Sequence, residues 1–227
     1  MSEVEALRPY ECDGLSAYKE LPVAVAIPKD VDQISQVMKF CMLNDVPVVA
    51  RGAGTSLSGG ARPEKNGIVL SLARFNHILE IDPKNRIARV QPGVRNLAIS
   101  EAVSHLGLYY APDPSSQIAC TIGGNVAENA GGIHCLKYGL TVHNVLRLNA
   151  VLANGDCVTF GSASLDSPGY DLLALLHGSE GLLAIVTEVM VRLLPRPPVA
   201  KAILAVFDDV TKAGDAVGAV IASGIVP

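Results

Sequence analysis

The chain has 227 residues, of which 49% are hydrophobic and 4% aromatic, and a net charge of −4. That is enough apolar material for one substantial aliphatic core, and there is no basic footprint for nucleic acid. Despite a mean hydropathy of +0.34, no uninterrupted apolar run approaches the ~20 residues of a membrane-spanning helix; the longest candidate, Gly181 to Leu194, is broken by Thr187, Glu188 and Arg192.

The acidic start MSEVEALRPYECDG lacks the basic and apolar regions of a signal peptide. Val31 to Asn44 carries Val31, Ile34, Val37, Met38 and Cys41 at helical spacing, with Asp30 as its cap. Val46 to Ala50 reads as a buried strand running into a glycine-rich stretch, PVVARGAGTSLSGG, from Pro47 to Gly60. A dinucleotide fingerprint needs a Gly or Ala where Leu57 stands, and a helix beginning inside the motif. A P-loop needs a Lys after Gly59. Neither condition is met, because Gly60 follows Gly59 and the chain runs on to another strand at Ile68 to Leu72. What remains is a nest of successive N–H groups for a phosphate-bearing ligand, aided by the Thr55 and Ser56 hydroxyls. Arg51 is either a cation for that ligand or a structural ion-pair residue.

Ile78 to Ile81 and Ile87 to Gln91 flank the turn-forming Asp82-Pro83-Lys84-Asn85 and predict a hairpin. Asn96 to Leu106 has helical periodicity. A second glycine-rich stretch, CTIGGNVAENAGG, spans Cys120 to Gly132 and reads as another ligand loop. Val145 to Leu152 and Cys157 to Phe160 bracket Asn154-Gly155-Asp156, a second hairpin. Tyr170 to Leu176 is a short helix, HGSEG at His177 to Gly181 is a third glycine segment, and Leu183 to Leu194 is a long strand. The order predicts an α+β fold.

Pro195-Arg196-Pro197-Pro198 ends the strand, so residues 1–198 read as one domain. Beyond it, a strand at Ala200 to Phe207 and a helix at Val210 to Ser223 are too little for an independent core. Residues 199–227 therefore read as the opening of a second domain whose remainder is absent. Cys12, Cys41, Cys120, Cys135 and Cys157 are dispersed, without a Cys-x-x-Cys pair, and predict reduced thiols in a cytoplasmic protein with no iron–sulfur ligation of its own. The five histidines show no metal-ligand spacing, so no metal is expected.

Three motifs in order, ARGAGTSLSGG, YYAPDPSSQIACTIGGNVAENAGGIHCLKYGLTVHNV and HGSEGLLAIVTEVMVRLLP, resemble the FAD-binding domain of vanillyl-alcohol-oxidase-type flavoproteins, a two-subdomain PCMH-type domain. The resemblance runs from about Tyr10 to Pro198 and is strongest to the glycolate oxidase flavoprotein branch, with relatives acting on D-lactate and D-2-hydroxyglutarate. It implies that the pyrophosphate binds at Gly52, Ala53, Gly54, Thr55 and Ser56, with Arg51 adjacent. Gly123, Gly124 and Asn125 would run beside the flavin and ribityl chain, and Pro112 and Asp113 near the ring. Gly131 and Gly132 would close the second loop, while Glu180, Gly181, Ile185 and Val186 would line the adenosine end. Covalent members carry a His where Thr55 stands, so the FAD should be non-covalent.

The resemblance further implies hydride transfer from a small 2-hydroxy acid, a cap domain over the flavin, and an iron–sulfur partner subunit that accepts electrons and brings the protein to the membrane periphery. No convincing catalytic base is visible in the sequence. His134, inside the second motif, reads as a main-chain-bonded loop histidine or as a residue near the flavin. A flavin-binding module without turnover stays open, as does a flavoenzyme of the same fold with other chemistry, such as the reductase of cell-wall precursor synthesis.

Overall fold

The computed structural model describes residues 1–163 and 169–226. A short helix α1 (Val4–Leu7) precedes strand β1 (Ala24–Ala26), and helix α2 (Val31–Leu43) follows. Asp30 starts α2 as its spacing predicts, its Oδ1 accepting from the Gln33 N–H at 2.8 Å. Strands β2 (Val48–Arg51) and β3 (Ile68–Ser71) complete a parallel three-stranded sheet of order β1-β3-β2. The strand expected over Val46 to Ala50 is displaced to Val48–Arg51 and is half-buried throughout, because β2 is the sheet's edge and α2 covers one face only. No helix interrupts residues 52–66, in keeping with the absence of a dinucleotide fingerprint.

The rest of the chain builds an antiparallel sheet. The predicted hairpins form as β4 (Ile78–Asp82) with β5 (Ile87–Val90), and, after helix α3 (Asn96–Val103), strand β6 (Leu108–Tyr109) and helices α4 (Ile122–Glu128) and α5 (Cys135–Tyr138), as β7 (Val145–Val151) with β8 (Cys157–Gly161). Helix α6 (Leu172–Leu176) leads to β9 (Ile185–Arg192), which inserts between β5 and β7 to give the order β4-β5-β9-β7-β8. Alternation sorts the two faces: Ala88, Val90, Leu148, Ala150, Val189 and Val191 enter the core with Ile99, Val103, Ile122 and Val126 of the covering helices. On the opposite face Arg89 bonds Glu80 at 3.2 Å and Glu188 at 3.0 Å.

The two sheets are joined through α2. Ile34, fully buried, packs with Leu70, Leu72 and Phe75 on one side and Val151 and Ile185 on the other, so this one side chain, stabilising by about 1.5–3 kcal/mol, helps fix the sheets against each other. Ile34→Asp would bury an unpaired charge there and break the junction.

Two expectations are corrected. The second glycine-rich stretch is not a loop throughout: Ile122–Glu128 is helix α4, ended by Asn129 in a left-handed conformation (φ 48°). After β10 (Leu194–Pro195), which pairs with β6, the strand expected over Ala200 to Phe207 does not form. Among the described residues it has no ladder to join, and Ile203, Leu204 and Val206 are 93%, 92% and 89% exposed. Helix α7 (Val210–Ala222) does form, capped by Asp209, yet buries no residue. No described helix is long and apolar enough to cross a membrane.

Candidate functional site

Between the sheets runs a groove of about 230 Å3 on which three separated segments converge. The turn after β2 supplies Gly52, Ala53, Gly54, Thr55 and Ser56, the start of α4 supplies Gly123, Gly124 and Asn125, and the segment before β9 supplies Glu180, Gly181 and Val186. Among the described residues, the N–H groups of Gly52 to Ser56 meet no protein acceptor; beyond Leu57, those of Ser58 and Gly59 are taken by Ser56 Oγ and Asp13. Five consecutive unpaired peptide donors beside a groove, with Gly54 at φ 68°, form the kind of concavity that satisfies an anion.

The loop is held from beneath. Arg51 does not line the groove; its Nη1 donates to the Cys12 carbonyl at 2.7 Å and its Nη2 to the Pro9 carbonyl at 3.3 Å, with the Tyr10 ring 5.5 Å away. Burial, outweighing nearby Cys12, Asp13 and Tyr10, pulls the guanidinium below its ordinary range without removing its charge. Asp13, buried, accepts from Leu15 N at 2.8 Å and Gly59 N at 2.9 Å.

The second segment is fixed by buried amides. Asn125 Nδ2 donates to Asn96 Oδ1 at 2.8 Å, and Asn96 Nδ2 donates to the Pro112 carbonyl at 2.9 Å. The side chain of Asn125 thus serves the fold while its backbone borders the groove. A Cβ on Gly123 would stand 2.6 Å from Cβ of Pro92, so only glycine lets α4 approach that strand end. The third segment docks on α4 through Gly178 N to the Val126 carbonyl and Glu180 N to the Ala127 carbonyl.

Of the other expected residues, Pro112, Asp113, Gly131, Gly132 and Ile185 lie off this groove. Ile185 is core, Gly131 faces Leu140, and Gly132 presses on Asp113. Asp113 instead lines a second cavity with His134.

Thr121, Glu128 and Cys120 border the groove without having been singled out. The Thr121 hydroxyl is buried without a partner among the described residues, an orphan that a ligand on the groove would satisfy. Glu128 Oε1 accepts from Ser56 Oγ at 2.9 Å and Ser58 Oγ at 2.8 Å. It lies one helical turn after Gly124, a spacing that places both on one face and that a loop reading conceals. Glu128 and Glu180 flank Gly60, with oxygens 3.3 and 2.9 Å from where its Cβ would stand. Two carboxylates there repel phosphate and accept from hydroxyls, so the Gly60 end of the groove suits a sugar or amino group rather than a phosphate.

These features fit FAD: unpaired amides for the diphosphate, acceptors for sugar hydroxyls, and an orphan hydroxyl between. The groove is smaller than the ~300–1,000 Å3 of typical ligand sites, so an FAD seated here extends beyond it. Among the described residues no group of three or more His, Cys, Asp or Glu is placed to hold a metal.

Comparison with known proteins agrees. The chain is 62% identical over 223 residues to the glycolate oxidase subunit GlcD of Escherichia coli (strain K12), covering 98% of this chain and 45% of that protein. It is 46% identical to the glycolate oxidase subunit GlcD of Bacillus subtilis (strain 168), covering 96% and 47%. It is 43% identical over 173 residues to a D-lactate dehydrogenase of Archaeoglobus fulgidus, covering 76% and 39%. The chain thus spans about half the length of the curated relatives it matches or less. A solved structure of alkyldihydroxyacetonephosphate synthase superposes with a TM-score of 0.76 over 91% of this chain and 41% of the other at 22% identity, a likeness of fold. The family described as FAD binding domain matches residues 22–161, and with the groove as described the chain belongs to that FAD-binding family.

Proposed function

We propose that this chain is the flavin-binding part of an FAD-dependent oxidoreductase that oxidises a small 2-hydroxy acid, glycolate or D-lactate, to the 2-oxo acid. The observation that carries the reading is the row of unpaired N–H groups from Gly52 to Ser56 on a groove bordered by all three glycine segments. The names of the relatives supply the substrate class.

When bound, FAD supplies a two-electron acceptor for the hydrogen on the α-carbon. The chain's own residues bind and orient it. Gly52 to Ser56 hold the diphosphate through backbone N–H groups, and Thr55 offers no imidazole for a covalent bond to the flavin. Gly123, Gly124 and Thr121 border the middle of the ligand, and Glu128 and Glu180 accept from the sugar end. Residues 199–226, whose apolar side chains Ile203, Leu204, Val206 and Val210 are uncovered, open a cap domain that shields substrate from water. An iron–sulfur subunit then takes the electrons.

The test is colour and its loss. The purified protein is expected to be yellow, to release intact FAD in acid, and to bleach anaerobically with glycolate or D-lactate. A colourless protein that FAD does not reconstitute ends the reading. The chain's length, about half that of its relatives, favours a narrower second reading for the chain by itself: it binds flavin without turnover. That reading predicts colour without bleaching.

A further inference from the structure

We propose that Glu128 is the positioning residue of the first glycine segment: from the end of α4 its carboxylate latches the loop in the shape that presents the Gly52–Ser56 N–H groups to the flavin's diphosphate. The inference deepens the FAD reading above and rests on it. It gives Glu128 Oε1 a role toward the loop itself and leaves Oε2, which no hydrogen bond engages among the described residues, for the ligand.

Unpaired peptide donors do not keep themselves in a row. In the flavin-free chain the five N–H groups gain nothing from one another, and a loop free to turn would scatter them into water. Residues 52–60 contain no helix or strand, so their shape comes from ties to the surrounding fold. At the entry Arg51 is held by the Cys12 and Pro9 carbonyls, and at the exit Gly59 N is held by Asp13 Oδ2. Between those two ties, among the described residues, the hydrogen bonds that join the loop to the rest of the molecule are the two that Glu128 accepts.

Their geometry is compact. Ser56 Oγ lies 2.9 Å and Ser58 Oγ 2.8 Å from Glu128 Oε1, and the two hydroxyl oxygens are 2.7 Å apart. A carboxylate only accepts, so both hydroxyls turn their hydrogens to it, and such charge-assisted bonds are the strong ones. Ser58 N donates to Ser56 Oγ at 3.1 Å, which draws the turn around the same point. The latch therefore grips Ser56, the last donor of the row, and Ser58 just beyond it, across separations of 72 and 70 residues.

The anchor is rigid. Val126, two positions before Glu128, is fully buried, and Asn125 is held through Asn96 to the Pro112 carbonyl. The third glycine segment docks on the same turn, with Gly178 N on the Val126 carbonyl at 2.9 Å and Glu180 N on the Ala127 carbonyl at 2.8 Å. The last turn of α4 is thus where the three segments meet, and Glu128 is the side chain there that bonds the first. Truncating it leaves α4 and the third segment in place and frees the loop alone.

A site that is in its binding shape for only a fraction of the time loses apparent affinity by that fraction. With the latch gone and the loop competent ~3–10% of the time, FAD binding weakens ~10–30-fold.

Glu128→Ala is expected to show that ~10–30-fold loss in FAD titration, with far-UV circular dichroism and the denaturant midpoint of the flavin-free chain near the parent's. Glu128→Gln keeps an oxygen for the two serines and replaces Oε2 by an amide, so it should return affinity to within ~3-fold of the parent. Ser56→Ala/Ser58→Ala, with Glu128 intact, should lose as much as Glu128→Ala, and combining all three should cost little more. Independently of flavin, ¹⁵N relaxation should show the Gly54 and Thr55 amides ordered in the flavin-free parent and mobile in Glu128→Ala, with Val126 and Ala127 unchanged. Parent-like order in Glu128→Ala, a Gln variant as weak as Ala, or full additivity between Glu128 and the serine pair overturns the latch and leaves the oxidoreductase reading standing. A parent chain that takes up no FAD overturns that reading, and the relaxation comparison then decides by itself whether Glu128 holds the loop.

Discussion

The two glycine-rich segments have similar composition and opposite physical roles. Between Gly52 and Ser56 glycine leaves peptide N–H groups open to a groove, and none of them meets a protein acceptor among the described residues. In the second segment most donors are spent inside the fold: Gly123 N bonds the Pro92 carbonyl, Asn125 N the Thr121 carbonyl and Ala130 N the Asn125 carbonyl. There glycine serves close approach, with no room for a Cβ between Gly123 and Pro92. In the function proposed above, the first segment is left free to contact the ligand, and the second forms the wall that keeps it in place.

The comparison breaks most sharply at Gly54. Its φ of 68° and the Arg51 guanidinium packed where a Cβ would stand make Gly54→Val incompatible with the loop. FAD affinity is expected to fall at least ~100-fold, about 2.7 kcal/mol, while far-UV circular dichroism stays near the parent's. Unchanged flavin content would remove the first segment from the site.

At the second segment the loss should be of stability. Asn96→Ala deletes both buried amide bonds and orphans Asn125 Nδ2 and the Pro112 carbonyl, costing about 1–3 kcal/mol per stranded group in denaturant unfolding of the flavin-free chain. A variant as stable as the parent that merely binds FAD less well would reverse the roles assigned here.

Thr121→Val sharpens the boundary between the segments. Its hydroxyl has no protein partner among the described residues, so the variant should be as stable as the parent or more so without ligand, and should bind FAD about 3–10-fold less tightly, the value of one hydrogen bond. Equal affinity would return Thr121 to the fold.

The smallest effect concerns the third segment. His177 is buried with Nδ1 on the Leu173 carbonyl at 2.7 Å, and burial, the largest influence, lowers its pKa. The unfolded chain then binds the proton at higher pH than the folded one, so stability falls as pH drops below about 6.5. In His177→Gln that part of the acid loss of Tm should disappear; an undiminished slope would place the titration elsewhere.

Much of this was legible from residues. Asp30 ahead of an apolar 3-4 pattern gave α2, and Asp82-Pro83-Lys84-Asn85 and Asn154-Gly155-Asp156 gave the hairpins, because caps and turns are local chemistry. Glycine density located the groove. What was not legible depends on distant partners. Helix α4 is hidden by Gly123 and Gly124, weak helix formers kept there by Pro92, and with α4 went the placement of Glu128. Arg51, beside the loop in sequence, is captured by the carbonyls of Pro9 and Cys12, which no local pattern announces. Residues 200–207 have strand composition, but a strand requires a neighbour. The contact of His134 with Asp113 at 2.6 Å likewise joins residues 21 positions apart.

The most direct test of the central claim is titration of the flavin-free, ¹⁵N-labelled chain with FAD, following the backbone amides. Hydrogen bonding to a diphosphate should move the Gly52, Ala53, Gly54, Thr55 and Ser56 signals strongly downfield while Gly123 and Asn125, already bonded, shift little. FAD binding with those five signals unmoved would contradict the account.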